Sequence, residues 1–483
     1  MTIENVGCDR REFLHGLAAG VTAGLGLVSP TSVGAAADLP KPGTSDWPRF
    51  GYDLHNTRFN ARESRLGADN VGRLKLKWRT EIGAPIQTTP SVIGDTLFIG
   101  AWDGHYYALD TKTGERKWKM DAGVPPESRW GLRTMKSSAD YFNGRIYFGT
   151  GKGELHCVDA ASGKVIWKGQ PDPEGRSTIN SSPTVYKDRV FVGTSGPRAQ
   201  IACLDAETGA VRWRFYIVPD REDGGGSSWT SAAVDTEQNI VYNGTGTPQS
   251  LTPPGPVLYS NSILANDLET GELLWHYQVR PYDFRDLDFS CHPMIFDAVS
   301  PGRRGASRHC VGGGHKTAFY TWDRYSGELL WRVMLTNWAA QGGPWWNSTG
   351  VAYNKVYVVS NANNPEQRDP DTTAARGLSE SVTAALHAYT GEIVWWRHNP
   401  AMNRAPVCIA NGVYYQSLAD GSLEALHAET GKPLWKAETP LPSTSRGGIV
   451  IANGELYTSN GEGGLPTEPK SQYYVYAYSI DGQ

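Results

Sequence analysis

Short runs in which apolar and polar residues alternate recur along the chain, each bounded by Gly, Asn or Asp. "PSVIGDTLFIGAWDGHYYALD" (90–110), "SPTVYKDRVFVGTSG" (182–196) and "APVCIANGVYYQSLADGSLEALH" (405–427) show the pattern. A period of two over four to eight residues predicts half-buried strands, and the small polar residues between them predict tight turns. No stretch after residue 37 has about 18 apolar residues in a row, so no spanning helix is expected there.

Laid over the strands is a second, longer period. "ALDTKTGERKW" ends at Trp118, "CVDAASGKVIW" at Trp167, "ACLDAETGAVRW" at Trp213 and "ANDLETGELLW" at Trp275. "TWDRYSGELLW" ends at Trp331, "ALHAYTGEIVW" at Trp395 and "ALHAETGKPLW" at Trp435. Each copy has an Asp or His, a Thr/Ser-Gly turn and a tryptophan four residues after the glycine. The Asp bonds the backbone of the turn, the glycine supplies a positive φ, and the tryptophan is placed to wedge against the next unit. Spacings of 40 to 64 residues between these tryptophans fit propeller blades of four antiparallel strands. At the ends, "RLKLKWRTEIG" (73–83) reads as one lone strand and "YYVYAYSIDG" (473–482) as inner strands without an outer partner. Together they make an eighth blade that closes the ring and removes open sheet edges. Seven blades with a ragged end is the alternative. The longest interruption, 361–380, is polar with two prolines and reads as a loop on one face.

Residues 1–37 form a separate object. Arg10 and Arg11 precede Phe13, Leu14 and a Gly/Ala-rich apolar run, and Ala35-Ala36-Ala37 stand before Asp38. This is the form of a twin-arginine signal peptide with a small-residue cleavage site, so a single exported domain over 38–483 is expected, periplasmic or extracellular. The net charge of −4 gives no reason to expect nucleic acid or an anionic membrane as partner. Loss of residues 1–37 removes Cys8 and leaves Cys157, Cys203, Cys291, Cys310 and Cys408. Cys157 and Cys203 sit in strand-like runs as small core hydrophobes. Cys291-His292 and His309-Cys310 lie on two strands of what reads as one hairpin. A disulfide between those cysteines is the plain expectation in an exported chain, and a metal site the other.

The repeat resembles that of the pyrroloquinoline quinone (PQQ) dehydrogenase propellers over nearly all of the mature chain. Four further segments resemble that family in order. "DWPRFGYDLHNTRFN" (46–60) is similar to its opening segment. "GGGSSWTSAAVDTEQNIVYNGTGTP" (224–248) is similar to the segment with the tryptophan that stacks on the cofactor, which implies Trp229. "PYDFRDLDF" (281–289) is similar to its active-site acid segment, which implies Asp286 as base. "GGGHKTAFYTWDRYSG" (312–327) is similar to the segment whose cation touches the quinone oxygens, which implies Lys316. The resemblance also implies polar contacts to the quinone carboxylates from Arg133, Lys136, Ser181 and Ser195.

The departures concern the metal. The family holds a divalent ion, commonly calcium, with a Glu, an Asn and an Asp. Where the Glu belongs this chain reads "GTSGPRAQ" (193–200), and where the Asn belongs it has Thr247. A hard cation needs several oxygens, so Asp286, the Thr247 hydroxyl and backbone carbonyls would hold one only weakly. Lys316 would then polarise the quinone, with Arg198 as a fixed positive charge in place of the ion. No Cys-x-x-Cys-His haem motif is present, so electrons need a separate acceptor or oxygen. Asp283 reads as a turn cap after Pro281, while Asp288 either pairs with Arg285 at the surface or faces the pocket. The reading implied is an exported quinoprotein oxidoreductase acting on an alcohol or other hydroxylated small molecule with PQQ. The alternatives are a non-catalytic propeller scaffold and an oxidoreductase that uses the same pocket without PQQ.

Overall fold

The computed structural model describes residues 44–124, 135–219, 225–248, 255–283, 286–302, 305–336, 349–361, 380–439, 447–461 and 473–483. The signal-like segment 1–37, Arg133, Arg285 and residues 362–379 lie outside them. Eight blades of four antiparallel strands follow one another around a ring, and the short segment Phe59–Asn60 adds a fifth, parallel strand to the seventh. The first blade is Ser91–Ile93, Thr96–Gly100, His105–Asp110 and Arg116–Asp121, from inner to outer strand. The inner strands of the second to eighth blades are Asp140–Phe142, Thr184–Tyr186, Ala233–Asp235, Met294–Val299, Gly350–Ala352, Cys408–Ala410 and Val450–Ala452. The eighth blade is stitched from both ends of the chain: Leu74–Glu81 is its outer strand, paired with Tyr474–Ile480 in register Trp78↔Ala477. The ring is eight-bladed and closed as the terminal strands imply, so the seven-bladed alternative is set aside.

The repeated tryptophan and glycine explain how blades dock. Each indole N–H donates to a carbonyl of the following blade: Trp78 to Thr111 (2.8 Å), Trp118 to Ala160 (3.0 Å), Trp167 to Ala206 (3.0 Å) and Trp213 to Leu268 (3.1 Å). Trp275 reaches Arg324 (3.2 Å), Trp331 reaches Ala388 (3.1 Å), Trp395 reaches Ala428 (2.9 Å), and Trp435 closes the circuit at Leu74 (3.0 Å). In seven of the eight contacts, all but that of Trp435, the turn glycine of the receiving blade lies against that indole. A Cβ on Gly271, for example, would stand 2.5 Å from Trp213, and its φ of +76° is already left-handed. One glycine therefore serves the turn and the docking surface at once.

The opening segment threads the centre of the ring. The mid-strand N–H groups of the inner strands donate to it in turn: Val92 to Trp47 O, Val234 to Leu54 O, Ile295 to His55 O, Val351 to Thr57 O and Ile409 to Arg58 O, all within 2.8–2.9 Å. In the second blade Tyr141 N donates to Pro48 O (2.9 Å), and Arg49 pairs with buried Asp140 (3.3 Å), which accepts from Val185 N of the third. Asn60 reaches Ile451 O of the eighth (2.8 Å). Six central N–H groups that would otherwise be orphaned in the core are thus satisfied by one stretch of backbone, and Val185 N by the Asp140 carboxylate. Fully buried Arg58 donates to the Phe50 and Val407 carbonyls and lies over the Trp47 and Phe50 rings; burial pulls its guanidinium down to about 10.

All five cysteines among the described residues are buried thiols. Cys157 and Cys203 are core residues as read from their strands. The expected Cys291–Cys310 bridge does not form. Cys291 N–H bonds Gly314 O (3.0 Å), four residues along the strand from Cys310, which pairs with Phe296. Four strand residues span about 13 Å, beyond the ~7 Å Cα separation that a disulfide tolerates. His309 pairs with Asp297 (2.9 Å) while His292 Nδ1 accepts from Ser231 N, so the two Cys-His pairs do not converge as a metal site would need.

Candidate active site

A second repeat, made of hydroxyls, precedes the inner strands. Thr88-Thr89, Ser137-Ser138, Ser181-Ser182, Thr230-Ser231 and Cys291-His292 occupy equivalent places three to four residues before Val92, Tyr141, Val185, Val234 and Ile295. The first member staples its own blade. Ser181 Oγ donates to Gly193 O (2.9 Å) and accepts from Gly193 N (3.0 Å), as Thr88 does with Gly100 and Thr230 with Gly244. The second member links blades: Thr89 N donates to Ser138 Oγ (2.8 Å), Ser138 N to Ser182 Oγ (2.9 Å), Ser182 N to Ser231 Oγ (3.0 Å), and Ser231 N to His292 Nδ1. His292 is therefore a neutral acceptor, held down to about 3 by burial and then by the Arg58 charge. Ser181, expected as a cofactor contact, makes both of these hydroxyl bonds inside its own blade. Cys291-His292, which suggested a bridge or a metal, is this repeat with its hydroxyls replaced.

Beyond these pairs the loops of the second to fifth blades join edge to edge into a collar. Thr178 and Ser195 exchange N–H···O bonds (2.8 and 2.9 Å), and Gly196 N donates to Gly226 O (3.1 Å). Gly246 N donates to Ser227 O (2.8 Å), Phe289 N to Thr245 O (3.3 Å) and Lys316 N to Asp288 O (2.9 Å). The collar brings Ser195, Trp229, Thr247, Asp286 and Lys316 onto one continuous strip. Gly246 is needed there for close approach: a Cβ would lie 2.2 Å from Ser227 Oγ and 2.6 Å from Asp288 Oδ1.

The hub of the strip is Asp288, the acid whose place the sequence left open. It is 7% exposed and accepts from Thr247 N, from Trp229 Nε1 (3.3 Å) and from Lys316 Nζ (3.2 Å). Lys316, 2% exposed, also donates to Asp286 Oδ2 (3.1 Å) and Asp286 O (2.7 Å). Asp286 presents its carboxylate to solvent, 53% exposed, from a left-handed backbone at φ +58°. Burial disfavours the Asp288 anion, but the Lys316 charge and the Thr247 N–H outweigh it and hold Asp288 below the usual carboxylate range. Asp286 goes the other way. Partial desolvation and then the Asp288 charge push it up to about 6, against the pull of Lys316. Two carboxylates sharing one ammonium are thereby driven apart, which is how environment separates an anchored anion from a proton acceptor near neutrality. Asp283, 1% exposed, caps the turn as read, accepting from Leu287 N (2.7 Å) and Thr247 Oγ1 (2.8 Å).

The remaining expectations separate. Trp229 is half-buried beside Asp288. Ser195 Oγ is buried with no partner among the described residues. Lys136 is half-buried next to the staple Ser137. Arg198 stacks on Tyr216 (4.5 Å), a residue of the outer strand Val211–Tyr216, whereas the cation bonded to both acids is Lys316.

The collar, with an indole, an ammonium and two divergent carboxylates on one strip of an eight-bladed ring, can be set beside known proteins. Residues 47–344 match the family model described as the glucose/ethanol/alcohol dehydrogenase β-propeller domain. The chain belongs to this PQQ dehydrogenase family. Residues 315–467 also match a model described as the outer membrane protein assembly factor BamB. A quinohemoprotein alcohol dehydrogenase of Comamonas testosteroni is 28% identical over 91% of this chain and 77% of its own. Its crystal structure superposes with a TM-score of 0.76 at 24% identity, over 91% of this chain and 81% of that one. The dehydrogenase subunit of a quinone alcohol dehydrogenase from Gluconacetobacter polyoxogenes is 29% identical over 68% of this chain and 53% of its own, so the chain spans about half of that relative. A europium-containing methanol dehydrogenase shares the fold, with a TM-score of 0.74 at 19% identity over 90% of this chain and 98% of that one.

The residues fit the family's cofactor and not its metal. A flat tricarboxylated quinone suits a half-open indole, a fixed ammonium and the Ser195 hydroxyl, which has no partner among the described residues. A calcium ion wants six to eight oxygens. Here Thr247 Oγ1 is taken by Asp283, Asp288 Oδ1 accepts from Thr247 N, and the other oxygens converge on Lys316. Among the described residues no group of three or more His, Cys, Asp or Glu is arranged to hold a metal, and no helix is long and apolar enough to cross a membrane.

Proposed function

We propose that the chain is an exported quinoprotein oxidoreductase that oxidises an alcohol or related hydroxylated small molecule at the collar. PQQ, when bound, supplies an ortho-quinone that accepts hydride from the carbinol carbon. Asp286 takes the hydroxyl proton: its carboxylate faces solvent, its affinity for protons is raised toward neutrality, and Lys316 fixes its position. Lys316 keeps a positive charge where negative charge would develop on a quinone oxygen. Trp229 offers its face to a planar ring, with its N–H bond to Asp288 setting its tilt. Ser195 offers a hydroxyl donor to a carboxylate. The observation that carries the reading is the Lys316 ammonium held between one solvent-facing and one buried carboxylate beside a half-open tryptophan.

The form of residues 1–37 supports export by the twin-arginine route, and residues 38–483 carry no Cys-x-x-Cys-His motif of their own, so electrons would pass from this propeller to a separate acceptor or to oxygen. The full chain is to be titrated with PQQ, with and without calcium, following absorbance and dye reduction by alcohols. Saturable binding with alcohol-dependent turnover is expected. Absence of both under every condition refutes the assignment. The scaffold reading has one observation in its favour, the BamB match over 315–467, and it predicts that null result.

A further inference from the structure

We propose that Lys316 is the resident cation of this site, and that the site takes no divalent or trivalent metal because the ammonium fills the seat between Asp286 and Asp288. The catalytic meaning of this rests on the quinone reading above; the binding claim rests on the donor set alone. Three oxygens converge on Lys316 Nζ, at 2.7, 3.1 and 3.2 Å: the Asp286 carbonyl, Asp286 Oδ2 and Asp288 Oδ2. These are hydrogen-bond distances to nitrogen, and the same three oxygens are the nearest set that could ligate an ion. Thr247 Oγ1 and Asp288 Oδ1 are turned away, to Asp283 and to Thr247 N. The lysine cannot readily swing aside. Its side chain is 2% exposed, and its backbone N–H is pinned to Asp288 O (2.9 Å), so the stem leaves the chain directly toward the acids.

Electrostatics sets the consequence. Two carboxylates and one ammonium leave a single net negative charge, too little to draw a hard ion from water into a place already holding a cation. Remove the amine, and two carboxylate groups and a carbonyl face one another with nothing between them. The geometry then turns from excluding a metal to inviting one.

The full chain, purified without PQQ, is to be titrated with Tb³⁺ under tryptophan excitation. Trp229 Nε1 lies 3.3 Å from Asp288 Oδ2, so an ion seated there is sensitised by that indole. Wild type is expected to give no saturable emission. Lys316→Met keeps the stem and removes the charge; it is expected to bind one Tb³⁺, displaceable by Ca²⁺, at least about 100-fold tighter than wild type. Adding Asp288→Asn to Lys316→Met is expected to abolish that signal, and adding Trp229→Phe to remove the emission while calorimetric binding persists. The proposal is overturned if wild type binds one Tb³⁺ that Ca²⁺ displaces and Asp288→Asn removes. It is also overturned if a folded Lys316→Met gains no binding. Should Lys316→Met not fold, Lys316→Gln carries that arm, and the wild-type titration decides on its own. None of these readouts uses turnover, so a failure of PQQ binding would sink the quinone reading and leave the cation test intact.

Discussion

Asp286 and Asp288 stand two residues apart and touch the same lysine, yet replacing each by asparagine should damage different properties. Asp288→Asn keeps the shape and removes the charge. Its oxygens accept from Thr247 N, Trp229 Nε1 and Lys316 Nζ at 7% exposure. In the variant, Lys316 stays buried and keeps Asp286 as an ion-pair partner, but that carboxylate is 53% exposed. Breaking a buried pair typically costs about 3–5 kcal/mol. Relief of the repulsion between the two acids, and the retained Asp286 carbonyl, bring the expectation to about 2–3 kcal/mol. Asp286→Asn removes a half-exposed partner, so the stability change is expected within about 1 kcal/mol. As the proton acceptor, however, Asp286 should carry about 10²–10⁴-fold of kcat. The assays are guanidinium unfolding at pH 7, read as a fall in midpoint at constant slope, and steady-state dye reduction with PQQ at saturation. Asp288→Asn unfolding at the wild-type midpoint refutes the buried-pair argument. Asp286→Asn retaining kcat within about threefold removes it as base.

Three further expectations follow from the same structure. With Asp286 raised to about 6, kcat/KM should fall as pH drops through that value, because the base must be ionised; its stability contribution runs oppositely, present below its unfolded pKa and lost as pH rises through about 6. Paired pH–rate and pH–stability profiles test both signs. Gly271→Ala should destabilise more than Gly144→Ala although their φ values are +76° and +77°, because only the former places a Cβ against an indole, 2.5 Å from Trp213; the shared backbone cost is about 1–2 kcal/mol and the extra overpacking about 1–3 kcal/mol, measured by denaturant midpoints. Ellman titration of the mature protein should find no reactive thiol in the native state and five in denaturant without reductant, whereas a Cys291–Cys310 disulfide would leave three.

The ring was legible because its signal is carried by scarce residues at fixed offsets. A tryptophan four after a glycine, seven times over, survives variation in everything between. The lone strand with Trp78 then had one place to go, beside Tyr474–Ile480. The hydroxyl repeat was not legible for the opposite reason. Ser and Thr are common, and one pair reads Cys-His, which draws attention as redox or metal chemistry. Only the bonds Ser181–Gly193 and Ser231–His292 show that Ser181 belongs with the staples and His292 with the circuit.

The acids mark the limit of a linear reading. Their order fixed neither which carboxylate is buried nor which partner it meets. The left-handed turn at Asp286 sends its carboxylate to solvent and Asp288 inward. What decides the pairing is a contact across 28 residues, Lys316 N to Asp288 O, reinforced by the bridge between Phe289 and His315. The acid segment and the lysine segment are thus one unit split in sequence. That unit also argues against a purely structural role for the collar. A buried lysine between two carboxylates is no more stabilising than apolar packing of the same volume. A scaffold needing only closure has tryptophans and glycines enough for it. Charge retained at such a cost, with one carboxylate turned outward and poised near neutrality, is the arrangement expected where a proton and a pair of electrons are to be parted.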